Sequence, residues 1–195
     1  MWLGLTPSAV ASNGAVAQGG QFPKGQWNSR QEAVKEYLEE FSEGSLEGVF
    51  PNIYKAIENV FRKIPAEVFD KVTNRDRPVI FTVHFTKGNG RYAQSINYTV
   101  EEDDPPTFKE GFYMIKLGDL LNNTNDVEAI EGIVYHELAH RYLEHHQLQQ
   151  MTCEHEREAN HLVKEWGFEK EFLKAKEKFG SKSKEDSPCF DYKDK

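Results

Sequence analysis

The chain has 195 residues, of which 38% are hydrophobic and 29% charged, and its formal net charge is −8. That length suits one domain, and an aromatic content of 12% supplies core-forming bulk despite the modest apolar share. No apolar run approaches the roughly 18 residues of a membrane span, and the acidic balance argues against electrostatic binding of nucleic acid, so neither partner is expected.

Residues 1–28 are rich in Gly, Ala, Ser and Gln without periodicity and read as a flexible leader. Ala15-Val16-Ala17 resembles a cleavage site, but Thr6, Pro7 and Asn13 interrupt the stretch and no basic segment opens it. Ser29 and Glu32 have capping-box spacing, and Val34, Tyr37, Leu38 and Phe41 then repeat at helical intervals up to Gly44. A second helix follows Pro51 with Ile53, Ala56, Ile57, Val60, Phe61 and Ile64 on one face; Pro65 breaks it and opens a short third helix ending near Val72. After Pro78 the period changes to two. Phe81, Val83 and Phe85 alternate with polar residues, Gly88-Asn89-Gly90 is a turn signal, and Tyr92, Ile96, Tyr98 and Val100 resume beyond it. These predict a β-hairpin, followed by an acidic loop over 101–106 and a third strand over 112–117. Asn125 and Glu128 make a second capping pair, opening a helix that runs to about His146. Further helices are expected over 153–166, with Gly167 as C-cap, and over 168–178, leaving residues 180–195 as a polar tail. The order predicts an α+β fold: one domain over 29–179, with a helical part 29–75, a small antiparallel sheet over 78–117 packed on a central helix, and helices over 125–179.

His136-Glu137-Leu138-Ala139-His140 is an HExxH motif within that central helix. Residues four apart share a helix face, so both imidazoles can reach a single metal. Glu137 projects to the side of the pair, where it can accept the proton of a water that the metal acidifies. Val127, Ile130, Val134 and Leu138 form one stripe; Ile133, His136, His140 and Leu143 form another, nearly opposite. A helix apolar on two sides is buried between layers, which aims the histidines into a cleft.

Catalytic zinc takes three protein ligands and keeps one position open. Downstream donors are His145, His146, Glu154, His155, Glu156, Glu158 and His161. His146 has the offset of the extended motif HExxHxxGxxH, but Leu143 stands where that motif needs glycine, and a continuing helix carries His146 about 15 Å along its axis from His136. His145 and His146 read as solvated residues of the last turn, where they suit the helix dipole. On the next helix Glu156, Ala159, Asn160, Val163 and Trp166 share one side, Glu154, Glu158 and His161 fall opposite, and His155 lies at the edge. Glu156 is therefore the preferred third ligand. Ala159 lets the helices approach, and Asn160, one turn beyond Glu156, is placed to accept the N–H of a liganding histidine.

The motif HELAH, followed sixteen residues after His140 by Glu156-Arg157-Glu158-Ala159-Asn160, resembles the HExxH…ExxA[ND] signature of small gluzincin metallopeptidases. The pattern is most similar to that of the ImmA/IrrE type, found in bacteria, phages and mobile elements. The resemblance covers roughly residues 126–168. It implies a zincin-like fold, a Zn2+ site of His136, His140 and Glu156, and Glu137 as general base. No helix-turn-helix segment accompanies these motifs, and residues 29–75 carry no pattern of known function.

The expected activity is zinc-dependent endopeptidase cleavage of a protein or peptide substrate, with strand 112–117 presenting an edge to it. The alternatives are a catalytically silent zinc-binding interaction module of a phage or mobile element and a SprT-like DNA-associated protease. The acidic balance and the Glu third ligand weigh against the latter. Cys153 and Cys189 are too few for a disulfide scaffold, which points to a reducing, cytoplasmic setting, and Cys153 reads as a small core residue. His84 reads as a solvated strand residue, and Tyr113, Tyr135 and Tyr142 as packing groups.

Overall fold

The structure is a computed structural model and describes residues 24–44, 46–85, 92–98, 111–145 and 152–180. Helix α1 (Lys24–Phe41) begins before Ser29, so the capping box expected there does not open it; no proline interrupts the preceding turn. Val34, Tyr37, Leu38 and Phe41 are buried on its inner face, as their spacing predicts. A short helix α2 (Leu46–Val49) leads to α3 (Pro51–Lys63), which starts at proline and buries Ile53, Ala56, Ile57, Val60 and Phe61. Helix α4 (Ala66–Val72) follows Pro65. Two side chains of α1 tie these pieces together. Arg30 donates to the Phe61 and Ile64 carbonyls at 3.0 and 3.2 Å, closing the C-terminus of α3. Buried Tyr37 accepts from the Val79 N–H at 2.8 Å, and its hydroxyl lies 2.9 Å from the Val79 carbonyl.

The three strands are β1 (Val79–His84), β2 (Ala93–Tyr98) and β3 (Phe112–Gly118). The expected β1–β2 hairpin is overturned: β3 lies between them, parallel to β1 and antiparallel to β2, so the sheet is mixed. The reason lies in composition. β3 buries Tyr113, Ile115 and Leu117 and takes the centre, whereas β2 carries Gln94, Ser95 and Asn97 and takes an edge. Phe85 falls past the end of β1 and is 76% exposed.

A 3-10 turn (Asp119–Asn123) leads to the central helix α5 (Val127–Tyr142). Asp126, not Asn125, caps it by accepting from the Ala129 N–H. Glu128 does not complete a capping box; it pairs with Lys170 and Lys174 instead. Helix α6 (Cys153–Glu165) opens with Thr152 and His155 capping reciprocally, and α7 (Glu169–Phe179) follows Gly167, whose φ of +88° provides the left-handed turn. α5 packs against α3 and α4 and against α6 and α7, which accounts for its two apolar stripes. At Gly132 the backbones of α5 and α7 nearly touch: a Cβ there would stand 2.2 Å from the Glu171 carbonyl oxygen. Beside it, buried Glu131 accepts from Lys63 and Asn59 of α3, each at 2.7 Å.

Among the described residues no helix is long and apolar enough to cross a membrane. Cys153 is disulfide-bonded, so its reading as an unpaired core residue is overturned, and the argument for a reducing setting goes with it. The chain's one other cysteine, Cys189, lies outside the described residues. A count of two cysteines excludes a scaffold but not a single bridge.

Candidate metal centre

Helix α5 sets His136 and His140 one turn apart, with their Nε2 atoms 3.0 Å from each other. Helix α6 brings Glu156 against both. Its Oε2 is 3.2 Å from His136 Nε2 and its Oε1 is 3.6 Å from His140 Nε2. One ligand atom from each of the three residues lies within 4.8 Å of the others. The approach of α6 depends on Ala159, Asn160 and Val163, all buried, so the face expected from the periodicity is the face that packs. Two imidazoles and a carboxylate converging on one point, with the Glu137 carboxylate alongside, fit the donor chemistry of a divalent-cation site.

The electrostatics are those of an under-neutralised cluster. Burial opposes the charge on Glu156, but hydrogen bonds with His136 and His140 outweigh it and hold the carboxyl well below the ordinary range. Burial likewise opposes a charged His136; the hydrogen bond to Glu156, the charges of Glu137 and Glu156, and the Asn160 side chain together raise the ring above its ordinary value. Glu137 behaves differently. Burial pushes it up to about 7, His136 opposes this, and the negative charge of Glu156 adds to it. Its Oε2 accepts a hydrogen bond from Ser95 Oγ on edge strand β2. Ser95 also contacts the phenol of Tyr113, which burial and the Glu137 charge push upward.

The remaining sequence candidates separate clearly. Asn160 is buried beside His136, with its Oδ1 and the His136 Nδ1 both shielded from water. His145 is not solvated: it is 4% exposed, with Nδ1 2.9 Å from His140 Nδ1 and Nε2 3.0 Å from Glu158 Oε2. The expectation failed because α5 stops at Tyr142 and the chain turns back, whereas a continuing helix would carry His145 into solvent. Burial, then the neighbouring His155, lower the His145 pKa, with Glu158 opposing. Glu158 thus faces His145, although helical projection placed it opposite Glu156. His155 caps α6, with its ring centroid 4.8 Å from that of His145. His161 pairs with Glu165 at 3.2 Å, Glu154 is exposed, and His146 lies outside the described residues. Tyr135 stacks on Phe168 at 3.9 Å and Tyr142 packs edge-on to Trp166, which fits packing roles. His84 is half-buried at the end of β1 and does not join the cluster. Sequence reasoning missed Ser95. A serine on a polar strand carries no signal until β2 is placed beside α5.

No protein-family model matches the chain, and neither a curated protein nor a solved structure shows significant similarity to it.

Proposed function

We propose that the chain is a zinc-dependent metallo-endopeptidase of the ImmA/IrrE-like gluzincin type. The observation that carries this reading is the convergence of His136, His140 and Glu156 on one point, with the Glu137 carboxylate beside them held by Ser95. His136 Nε2, His140 Nε2 and a Glu156 oxygen would hold Zn2+. When bound, the cation supplies Lewis acidity, acidifying a water and polarising the scissile carbonyl. Glu137 takes the proton of the attacking water on a carboxylate oxygen and delivers it to the leaving amine nitrogen. Ser95 orients the carboxylate by donating to Oε2, leaving Oε1 for the water.

Strand β3 is hydrogen-bonded on both sides, so the expectation that it presents an edge to substrate is overturned. β2 has one strand neighbour among the described residues and carries Ser95 to Glu137. An extended peptide adding to the outer edge of β2 would therefore run past the general base.

Elemental analysis and hydrolysis of an unfolded protein test the reading together. The expected result is about one zinc per wild-type chain, most of it lost in Glu156→Ala, with cleavage that depends on zinc. Zinc that persists undiminished in Glu156→Ala moves the third ligand elsewhere. Cleavage by Glu137→Gln at the wild-type rate removes the general base. A zinc-loaded but inert wild type leaves the silent-module reading in its place. Proline at Ile96 within β2 is expected to raise KM without loss of zinc.

A further inference from the structure

His145 and Glu158 belong to no part of the proposed reaction, yet they form a continuous line of hydrogen-bonding atoms that ends on His140. The order is Glu158 Oε2, His145 Nε2, His145 Nδ1 and His140 Nδ1, with separations of 3.0 Å and 2.9 Å across the two contacts. A neutral imidazole carries one proton, so the line has a direction. The Glu158 carboxylate only accepts, which places the His145 proton on Nε2. His145 Nδ1 is then an acceptor, and the His140 proton must sit on Nδ1. That leaves His140 Nε2 with its lone pair pointing toward His136 and Glu156. The opposite assignment fails at the outer end, where it sets a His145 lone pair against the Glu158 carboxylate; it would also leave His140 Nε2 protonated, as a donor to Glu156 that has no lone pair for a cation.

From this geometry we infer that His145, oriented by Glu158, is a positioning residue that holds His140 in the tautomer and rotamer able to ligate a divalent cation. The inference rests on the metal-site reading above.

The turn after α5 is built to supply it. Glu144 has a φ of +59°, a left-handed conformation that costs a non-glycine residue free energy. Arg141, Arg77 at 3.0 Å and Lys71 at 3.5 Å hold its carboxylate there. Lys71 also takes the Tyr142 carbonyl at the end of the helix, at 2.7 Å. This reversal at Glu144 is what returns His145 to His140. His136, by contrast, has no such line among the described residues; beside its ring lie Asn160 and the stacked Phe172. The two histidines therefore differ in how firmly each is prepared.

The test is zinc affinity, read by competition with a chromophoric chelator, for the full chain and three variants. His145→Asn keeps an acceptor near the position of Nδ1. His145→Leu keeps the bulk and removes the acceptor. Glu158→Ala sits at a half-exposed position and does not threaten the fold if His145→Leu does. Losing a partner that orients a metal ligand typically weakens binding 10- to 100-fold. His145→Leu is expected in that range, Glu158→Ala to lose roughly 3- to 10-fold, and His145→Asn to stay within about 3-fold of wild type. In zinc-loaded wild type, the imidazole nitrogen shifts of His140 are expected to report the Nδ1–H form. Equal affinity in His145→Leu and wild type, or equal losses in the Leu and Asn variants, overturns the inference. So does an Nε2–H form of His140. A wild type that binds no zinc is distinguishable from these outcomes and overturns the metal-site reading, and this inference with it.

Discussion

The two halves of α5 bury carboxylates to opposite ends. In the N-terminal half Glu131 meets Lys63 and Asn59, each at 2.7 Å, so that one oxygen faces a cation and the other accepts from an amide. In the C-terminal half Glu137 meets a neutral hydroxyl and stands near a second carboxylate, Glu156. The first arrangement makes an anchor, and the second makes a group that readily holds a proton. The difference shows how one helix bears a costly site. Glu131, the Gly132 contact with α7 and the pairing of Glu128 with Lys174 lock one half in place. The other half can then carry groups whose charges do not cancel.

The sharpest way to break the comparison is to exchange chemistry for packing at Glu137. Glu137→Gln is expected to lower kcat/KM about 10²- to 10⁴-fold while the zinc content holds, as for removal of a general base. Steady-state kinetics beside elemental analysis checks it. In the anchored half, Gly132→Ala forces a methyl into the Glu171 backbone. A cost of about 3 kcal/mol or more is expected, lowering Tm by roughly 6–12 °C in a chain of this size, with little effect on the pH dependence of the remaining activity. Glu131→Ala leaves the Lys63 ammonium without its partner. Lys63 is 40% exposed and can turn to water, so the expected loss is about 2 kcal/mol, below that for a fully buried pair. Urea unfolding of the metal-free protein measures it.

The pH dependence of stability probes Glu137 without touching activity. Glu137 has a folded-state pKa of about 7 against an ordinary value of 4.5, so between these the folded state binds the extra proton. Stability from this group therefore falls as pH rises from about 4.5 to about 7 and is lost above that. Glu137→Gln removes the effect. Its advantage over metal-free wild type is expected to grow by about 1–2 kcal/mol from pH 5 to pH 8, the full value being discounted because Glu137 is partly exposed. An advantage that does not change with pH would mean that Glu137 binds no extra proton in the folded state. The smallest effect is expected at Ser95→Ala. It should lower kcat a few-fold and leave zinc affinity alone, since Ser95 touches Glu137 and is no part of the His136, His140 and Glu156 cluster.

What the sequence determined by itself is local. Helical spacing alone places His136 and His140 on one face with Glu137 beside them, and the same arithmetic selects Glu156 from the next helix, because one periodicity governs both burial and ligand direction. Proline and glycine likewise mark the ends of α3 and α6 wherever a backbone constraint acts within a few residues. Tertiary structure decided what depends on pairing between distant segments. β3 entered between β1 and β2 because the most apolar strand gains most from being covered on both edges, which no adjacent-strand rule can express. Ser95 reached Glu137 only once that order was set. His145 reached His140 because three cations from α4, α5 and the segment before β1 compensate a left-handed Glu144, and a helix pattern read in isolation continues straight through that residue.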